Sequence, residues 1–133
     1  MPNSCWITGA SSGIGKSTAL YFAKNGYTVF ASARSSEDLS NLEKKSLDSS
    51  FKGKIIALPI DVTKPDNILN AIKFIEKETQ NLEFIILNAG TYIKEDSKYA
   101  TIKSTKHTIY LYIGSLTMQY LPAPTHPHRW FLF

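Results

Sequence analysis

The chain has almost no cysteine. Cys5 is the only one among 133 residues, which excludes an internal disulfide framework and a cysteine-based structural zinc site. Lying between Ser4 and Trp6 in a strand-like run, it reads as a small core residue. Clustered positive charge is also lacking. Lys and Arg number 15 against 11 acids, a net charge of +4, but they are scattered singly or in pairs such as Lys44-Lys45. A nucleic-acid footprint needs clustering, so none is expected. No apolar stretch approaches the roughly 18 residues of a membrane span. The opening Met-Pro-Asn-Ser-Cys-Trp lacks the basic and apolar regions of a secretory leader, so a reducing cytoplasm is the expectation. With 43% hydrophobic and 20% charged residues, the composition suits one folded domain with a real core.

Strand and helix patterns alternate from the start. Ser4–Thr8 is a short strand-like run ended by Gly9. Residues 13–25 have helical spacing, with Ile14, Thr18, Tyr21 and Phe22 on one face and Gly26 as the stop. Residues 27–33, β-branched and aromatic, read as a second strand. A helix follows over 36–46, capped by Ser36, with Leu39 and Leu42 inward. Residues 54–58 form a third strand. Residues 66–79 form a helix with Ile68, Leu69, Ile72 and Ile75 at periods of three and four, and 83–87 a fourth strand. Short apolar strands separated by amphipathic helices imply βαβ units with right-handed crossovers. The expected fold class is therefore α/β, a doubly wound parallel sheet of about four strands plus a C-terminal segment. Residues 108–121 are apolar and Tyr-rich, as a further helix or strand would be. Residues 122–133 hold three prolines within six positions and read as an irregular Pro/aromatic tail after a domain spanning 1–121. Four strands would leave the fourth as an open edge, which invites self-association.

The informative motif joins the first strand to the first helix: Thr8-Gly9-Ala10-Ser11-Ser12-Gly13-Ile14-Gly15. Gly9 permits a tight turn off the strand. Gly13 lets the backbone approach a pyrophosphate. Gly15 lets the helix pack close to the sheet. The helix then begins at the loop, aiming its free N–H groups and positive dipole end at an anion. This is not a P-loop, because Ser11 stands where that motif needs its first glycine.

This loop resembles the cofactor loop of the short-chain dehydrogenases/reductases. Two further segments follow in the family's order: Asp61-Val62-Thr63 after the third strand, and Asn88-Ala89-Gly90 after the fourth. The resemblance is strong over residues 1 to about 90 and loose over about 105–121. It implies a Rossmann-like fold that binds a nicotinamide dinucleotide. Ser11, Ser12, Gly13 and Ile14 would hold the phosphates. Asp61 would accept from the adenine amino group, with the Val62 backbone beside it. Asn88, Ala89 and Gly90 would line the ribose side, and Asn88 would also brace the fourth strand. At the end of the second strand, an acid would bind the ribose 2′-hydroxyl. Arg34 stands there instead, a permanently charged fork suited to a 2′-phosphate, which favours NADP over NAD.

The family's chemistry needs a Tyr-x-x-x-Lys pair on a helix and a serine on the preceding strand. The lysine lowers the tyrosine pKa so that the phenol can exchange a proton with substrate. The one such spacing here, Tyr99–Lys103, follows Gly90 by only nine residues and has no serine-bearing strand before it at a workable spacing, so no catalytic residue is assigned. Leu111 stands where the family has a helix asparagine, and leucine has no polar atom to hold water. His107, His126 and His128 show no metal spacing. Three readings follow. The first is a truncated family member that keeps the NADP half-site, with hydride transfer between NADP(H) and a carbonyl or alcohol as the parent reaction. The second is a non-catalytic NADP-sensing or partner-binding module. The third is a reductase completed by another chain or by Tyr99 and Lys103.

Overall fold

The computed structural model describes residues 2–89 and 129–132. The elements run β1 (Ser4–Thr8), α1 (Gly13–Lys24), β2 (Thr28–Ser32), α2 (Ser36–Lys45), β3 (Lys54–Ala57), α3 (Pro65–Glu78), β4 (Leu82–Leu87) and β5 (Arg129–Leu132). The strands form one parallel sheet in the order β3-β2-β1-β4-β5. The expected α/β doubly wound sheet is therefore present. Elements differ from the sequence reading by a residue or two at their ends, where local signals are weakest.

The sheet separates two cores because strand side chains alternate between faces. Cys5, Ile7, Val29, Ala31, Ile55 and Ile86 pack under α1 and α2. Trp6, Phe30, Ile85 and Leu87 pack under Ile68, Ala71, Ile72 and Ile75 of α3. The two layers are filled differently. Small residues on α1 allow close approach, whereas large rings on the opposite strand face meet the isoleucines of α3. The Trp6 indole N–H donates to Ser32 Oγ at 2.8 Å, which satisfies the polar atom of a fully buried ring.

Three expectations are corrected. The buried face of α1 is Gly15, Ala19 and Ala23, while Ile14 and Tyr21 are 69% and 66% exposed. The four residues read as one face are thus divided: Phe22 packs against the core beside Phe84, while Ile14 and Tyr21 face outward. Ser35 rather than Ser36 caps α2, its hydroxyl accepting from the Asp38 amide at 3.3 Å. Residues 129–132, read as part of an irregular tail, form β5 alongside β4, pairing Ile85 with Trp130 and Ile86 with Phe131. The prolines at 122, 124 and 127 bar a helix there, but they precede this short run. β4 is thus an inner strand, and the open edge from which self-association was expected is occupied. Leu69 of α3 is 38% exposed, beside the buried Ile68 and Ile72. The segment 108–121 lies outside the described residues.

Cys5 is fully buried, and its thiol pKa is pushed up to about 12, first by burial and then by the nearby Glu83 carboxylate. Only the thiolate reacts appreciably. A disulfide reagent at pH 8 is therefore expected to label less than about a tenth of the thiol in native protein over minutes. In urea it should label one equivalent, the whole thiol content of the chain. Rapid native labelling would show that the first strand is not held in the core.

Candidate functional site

The carboxyl ends of β1 to β4 reach the same end of the sheet. Thr8 pairs with Ser32 of β2 and with Leu87 of β4. β3 follows one residue behind, but its pairing along β2 continues past its end: the Leu58 amide donates to Ala31 O at 2.9 Å, and the Ile60 amide to Ala33 O at 3.0 Å. The segments 9–15, 33–35, 60–63 and 88–89 therefore converge. β2 and β4 lie on opposite sides of β1, so the chain crosses sides here. A crevice at such a switch point, outside the carboxyl ends of the strands, is where open α/β sheets bind ligands.

A cleft of about 470 Å³ opens at this place. Its lining includes Gly9, Ser11, Ser12, Gly13 and Ile14 from the glycine loop, Arg34 from the end of β2, Asp61 and Val62 after β3, and Asn88 and Ala89 after β4. Eleven of the twelve site residues expected from sequence are described. Ten of them line the cleft. The eleventh, Gly15, lies beneath it. The twelfth, Gly90, lies outside the described residues, as do Tyr99, Lys103 and Leu111.

The loop conformation depends on its glycines. Gly9 and Gly13 have φ of 68° and 56°, the left-handed region that other residues enter at a cost of about 1–2 kcal/mol. A side chain at Gly9 would also strike the backbone of Asn88 and Ala89, at 2.8–2.9 Å. Gly13 is different, because a Cβ there would meet no protein atom within 4 Å. The space beside it is the cleft. Gly15 holds α1 against the loop: a Cβ there would run into Gly9 O and come within 2.6 Å of Asn88 Nδ2.

The two helices bordering the cleft begin differently. α2 has its Ser35 cap and the acids Glu37 and Asp38 in its first turn. α1 has Ser12 at its N-cap with no side-chain hydrogen bond and no acid in its first turn. The Lys16 amide finds Ser12 O at 3.2 Å, but the first-turn amides before it are left to the cleft. Unpaired N–H groups and the positive end of a helix dipole form an anion cradle.

β4 is tied to the loop by Thr8 and Asn88. The Thr8 hydroxyl, 1% exposed, accepts from the Asn88 amide at 3.1 Å and the Ala89 amide at 3.0 Å. Asn88 Nδ2 donates to Gly9 O at 3.2 Å. The Thr8 role was not read from sequence, although its place at the head of the loop motif is the signal. On the other flank, Asp61 Oδ1 accepts from both the amide (3.0 Å) and the hydroxyl (2.6 Å) of Thr63. These bonds, with smaller effects from Lys64 and Arg34, hold its carboxyl below the usual carboxylate range. The site thus offers a cradle for negative charge, a fixed carboxylate and an exposed guanidinium around one cleft. Among the described residues, no group of three or more His, Cys, Asp or Glu could hold a metal, and no helix is long and apolar enough to cross a membrane.

A model of the short chain dehydrogenase family matches residues 3–118. The chain belongs to that family. Among curated short-chain dehydrogenases it is 37% identical over 86 residues to the 3-oxoacyl-[acyl-carrier-protein] reductase FabG of Thermotoga maritima, covering 65% of this chain and 34% of the relative. It is 31% identical over 121 residues to the short-chain dehydrogenase anuI of Penicillium roqueforti, covering 87% and 47%. The chain therefore spans about a third to a half of the length of these relatives. Among solved structures it resembles a 3-ketoacyl-ACP reductase from Sinorhizobium meliloti, with TM-score 0.73, 27% identity, 87% of this chain and 46% of that one. It also resembles a short-chain dehydrogenase from Sphingobium yanoikuyae in complex with NADPH, with TM-score 0.69, 28% identity and coverages of 89% and 46%.

Proposed function

We propose that this short-chain dehydrogenase chain binds NADP(H) in the cleft at the carboxyl end of its sheet. In this reading the diphosphate lies on the uncapped first turn of α1, against Ser11–Ile14. Asp61 and the Val62 backbone receive the adenine. Asn88, Ala89 and Gly90 border the ribose toward the nicotinamide. Arg34 takes the 2′-phosphate and favours NADP over NAD. The observation that carries the reading is the cleft itself, open beside Gly13 and bordered by a helix start that no side chain of its own satisfies. That the Sphingobium relative is in complex with NADPH supports binding of a nicotinamide dinucleotide.

The parent reaction is hydride transfer between NADP(H) and a carbonyl or alcohol. We assign these 133 residues the cofactor half of that chemistry. Their one Tyr-x-x-x-Lys spacing, Tyr99–Lys103, has no serine on β4, the described strand that precedes it, so binding without turnover is the expected behaviour. The test is a fluorescence titration of the full chain with NADPH and NADH, alongside an assay of carbonyl-dependent NADPH oxidation. Saturable binding with NADPH preferred and no oxidation supports the proposal. Absence of binding overturns it. Oxidation abolished by Tyr99→Phe would show instead that Tyr99 and Lys103 complete an active reductase.

A further inference from the structure

We propose that Thr63 is a positioning residue that fixes the Asp61 carboxylate as a one-sided acceptor, and so makes the cleft select adenine over a 6-oxo purine. The inference rests on the reading of the cleft as a dinucleotide site and adds the device that sets its base preference.

Two observations carry it. Both Thr63 donors fall on the same oxygen, Asp61 Oδ1. The carboxylate is therefore anchored by one oxygen, leaving the other for a ligand in the cleft that Asp61 and Thr63 both line. The backbone beneath is pinned from two directions. The Asp61 amide donates to Asn67 Oδ1 at 3.0 Å, and the Lys64 amide donates to Asp61 O at 3.0 Å. Because Asn67 belongs to the first turn of α3, the position of Asp61 is set by the helix rather than by a free loop.

An ionised carboxylate only accepts hydrogen bonds. It bonds the 6-amino group of adenine but repels the 6-oxo group of hypoxanthine. This discrimination requires that the carboxylate keep one orientation, and among the bonds recorded for Asp61 only those from Thr63 reach its side chain. The same anchoring makes a sharper prediction for Asp61→Asn. Two donors at the Oδ1 position would hold the amide oxygen there, placing its NH₂ on the ligand side and reversing the preference.

The experiment titrates the full chain with NADPH and with reduced nicotinamide hypoxanthine dinucleotide phosphate, following nicotinamide fluorescence, with circular dichroism to verify folding. The unsubstituted chain is expected to prefer NADPH by about tenfold, the worth of one hydrogen bond to a charged group. Thr63→Val removes the hydroxyl but keeps the amide of residue 63 on Asp61 Oδ1, so it should lower the preference to about threefold, and Thr63→Ser should restore it. Asp61→Asn should favour the hypoxanthine dinucleotide, and adding Thr63→Val should weaken that reversal, because one of the two donors is lost. Equal loss of both affinities in Thr63→Val, with the ratio kept, would reduce Thr63 to a turn residue and overturn the proposal. So would a ratio of one in the unsubstituted chain. Failure of that chain to bind NADPH at all would overturn the dinucleotide reading as well.

Discussion

Replacing Gly15 by alanine is expected to cost about 3 kcal/mol of stability, at the upper end of the range for an overpacked core. The physical reason is the place where the added carbon would go. It would run into Gly9 O and stand 2.6 Å from Asn88 Nδ2. Gly9 cannot give way, because Asn88 and Ala89 backbone already crowd its own Cβ position. Asn88 would have to release its bond to Gly9 O. The strain therefore spreads from α1 to the end of β4. For a chain of this size the unfolding midpoint should fall by roughly 10 °C. Gly13→Ala is the informative control. Its Cβ meets no protein atom, so only the positive φ is penalised, at about 1 kcal/mol. NADPH affinity, in contrast, should fall sharply in Gly13→Ala, because the new methyl group would occupy the cleft. Thermal melts and titrations on both variants separate the two roles. Equal loss of stability would refute the close contact between α1 and the loop.

Arg34→Asp is expected to weaken NADPH binding by about tenfold or more, the loss of a charge-assisted contact with the 2′-phosphate. NADH affinity should rise, because a carboxylate at the end of the second strand can accept from the ribose 2′-hydroxyl. Arg34 is exposed and lines the cleft, so the substitution disturbs no core contact, and the effect should appear in binding rather than stability. The measured quantity is the ratio of NADPH to NADH dissociation constants. An unchanged ratio would make Arg34 a solvated surface residue and remove the preference for NADP.

Much of the fold was legible because its signals are local. Three strand–helix alternations, the position of Gly26, and the three- and four-residue spacing of Ile68, Ile72 and Ile75 each report on their own neighbourhood. The face of α1 was not legible in this way. Ile14 and Tyr21 satisfy helical periodicity as well as Ala19 and Ala23 do, and only the seating of the helix on the sheet decides which positions are buried. β5 was hidden for a similar reason. Arg129–Leu132 is a four-residue run after a proline-rich stretch, and it becomes a strand by pairing with β4. The candidate site divides along the same line. The glycine loop could be read from spacing, and Asp61 and Asn88 from resemblance. The hydroxyls of Thr8 and Thr63 could not, because their partners are set by how strand ends and turns meet.

The sequence by itself determined an α/β order of elements and a glycine-rich bend between the first strand and first helix, since these depend on periodicity and on residues with special backbone freedom. Tertiary structure alone decided that four separate segments meet around one open cleft, that α1 rests on glycine and alanine, and that a late segment covers the edge of β4. Those outcomes depend on packing and hydrogen bonding between residues as many as 81 positions apart, such as Thr8 and Ala89, and no local pattern encodes them.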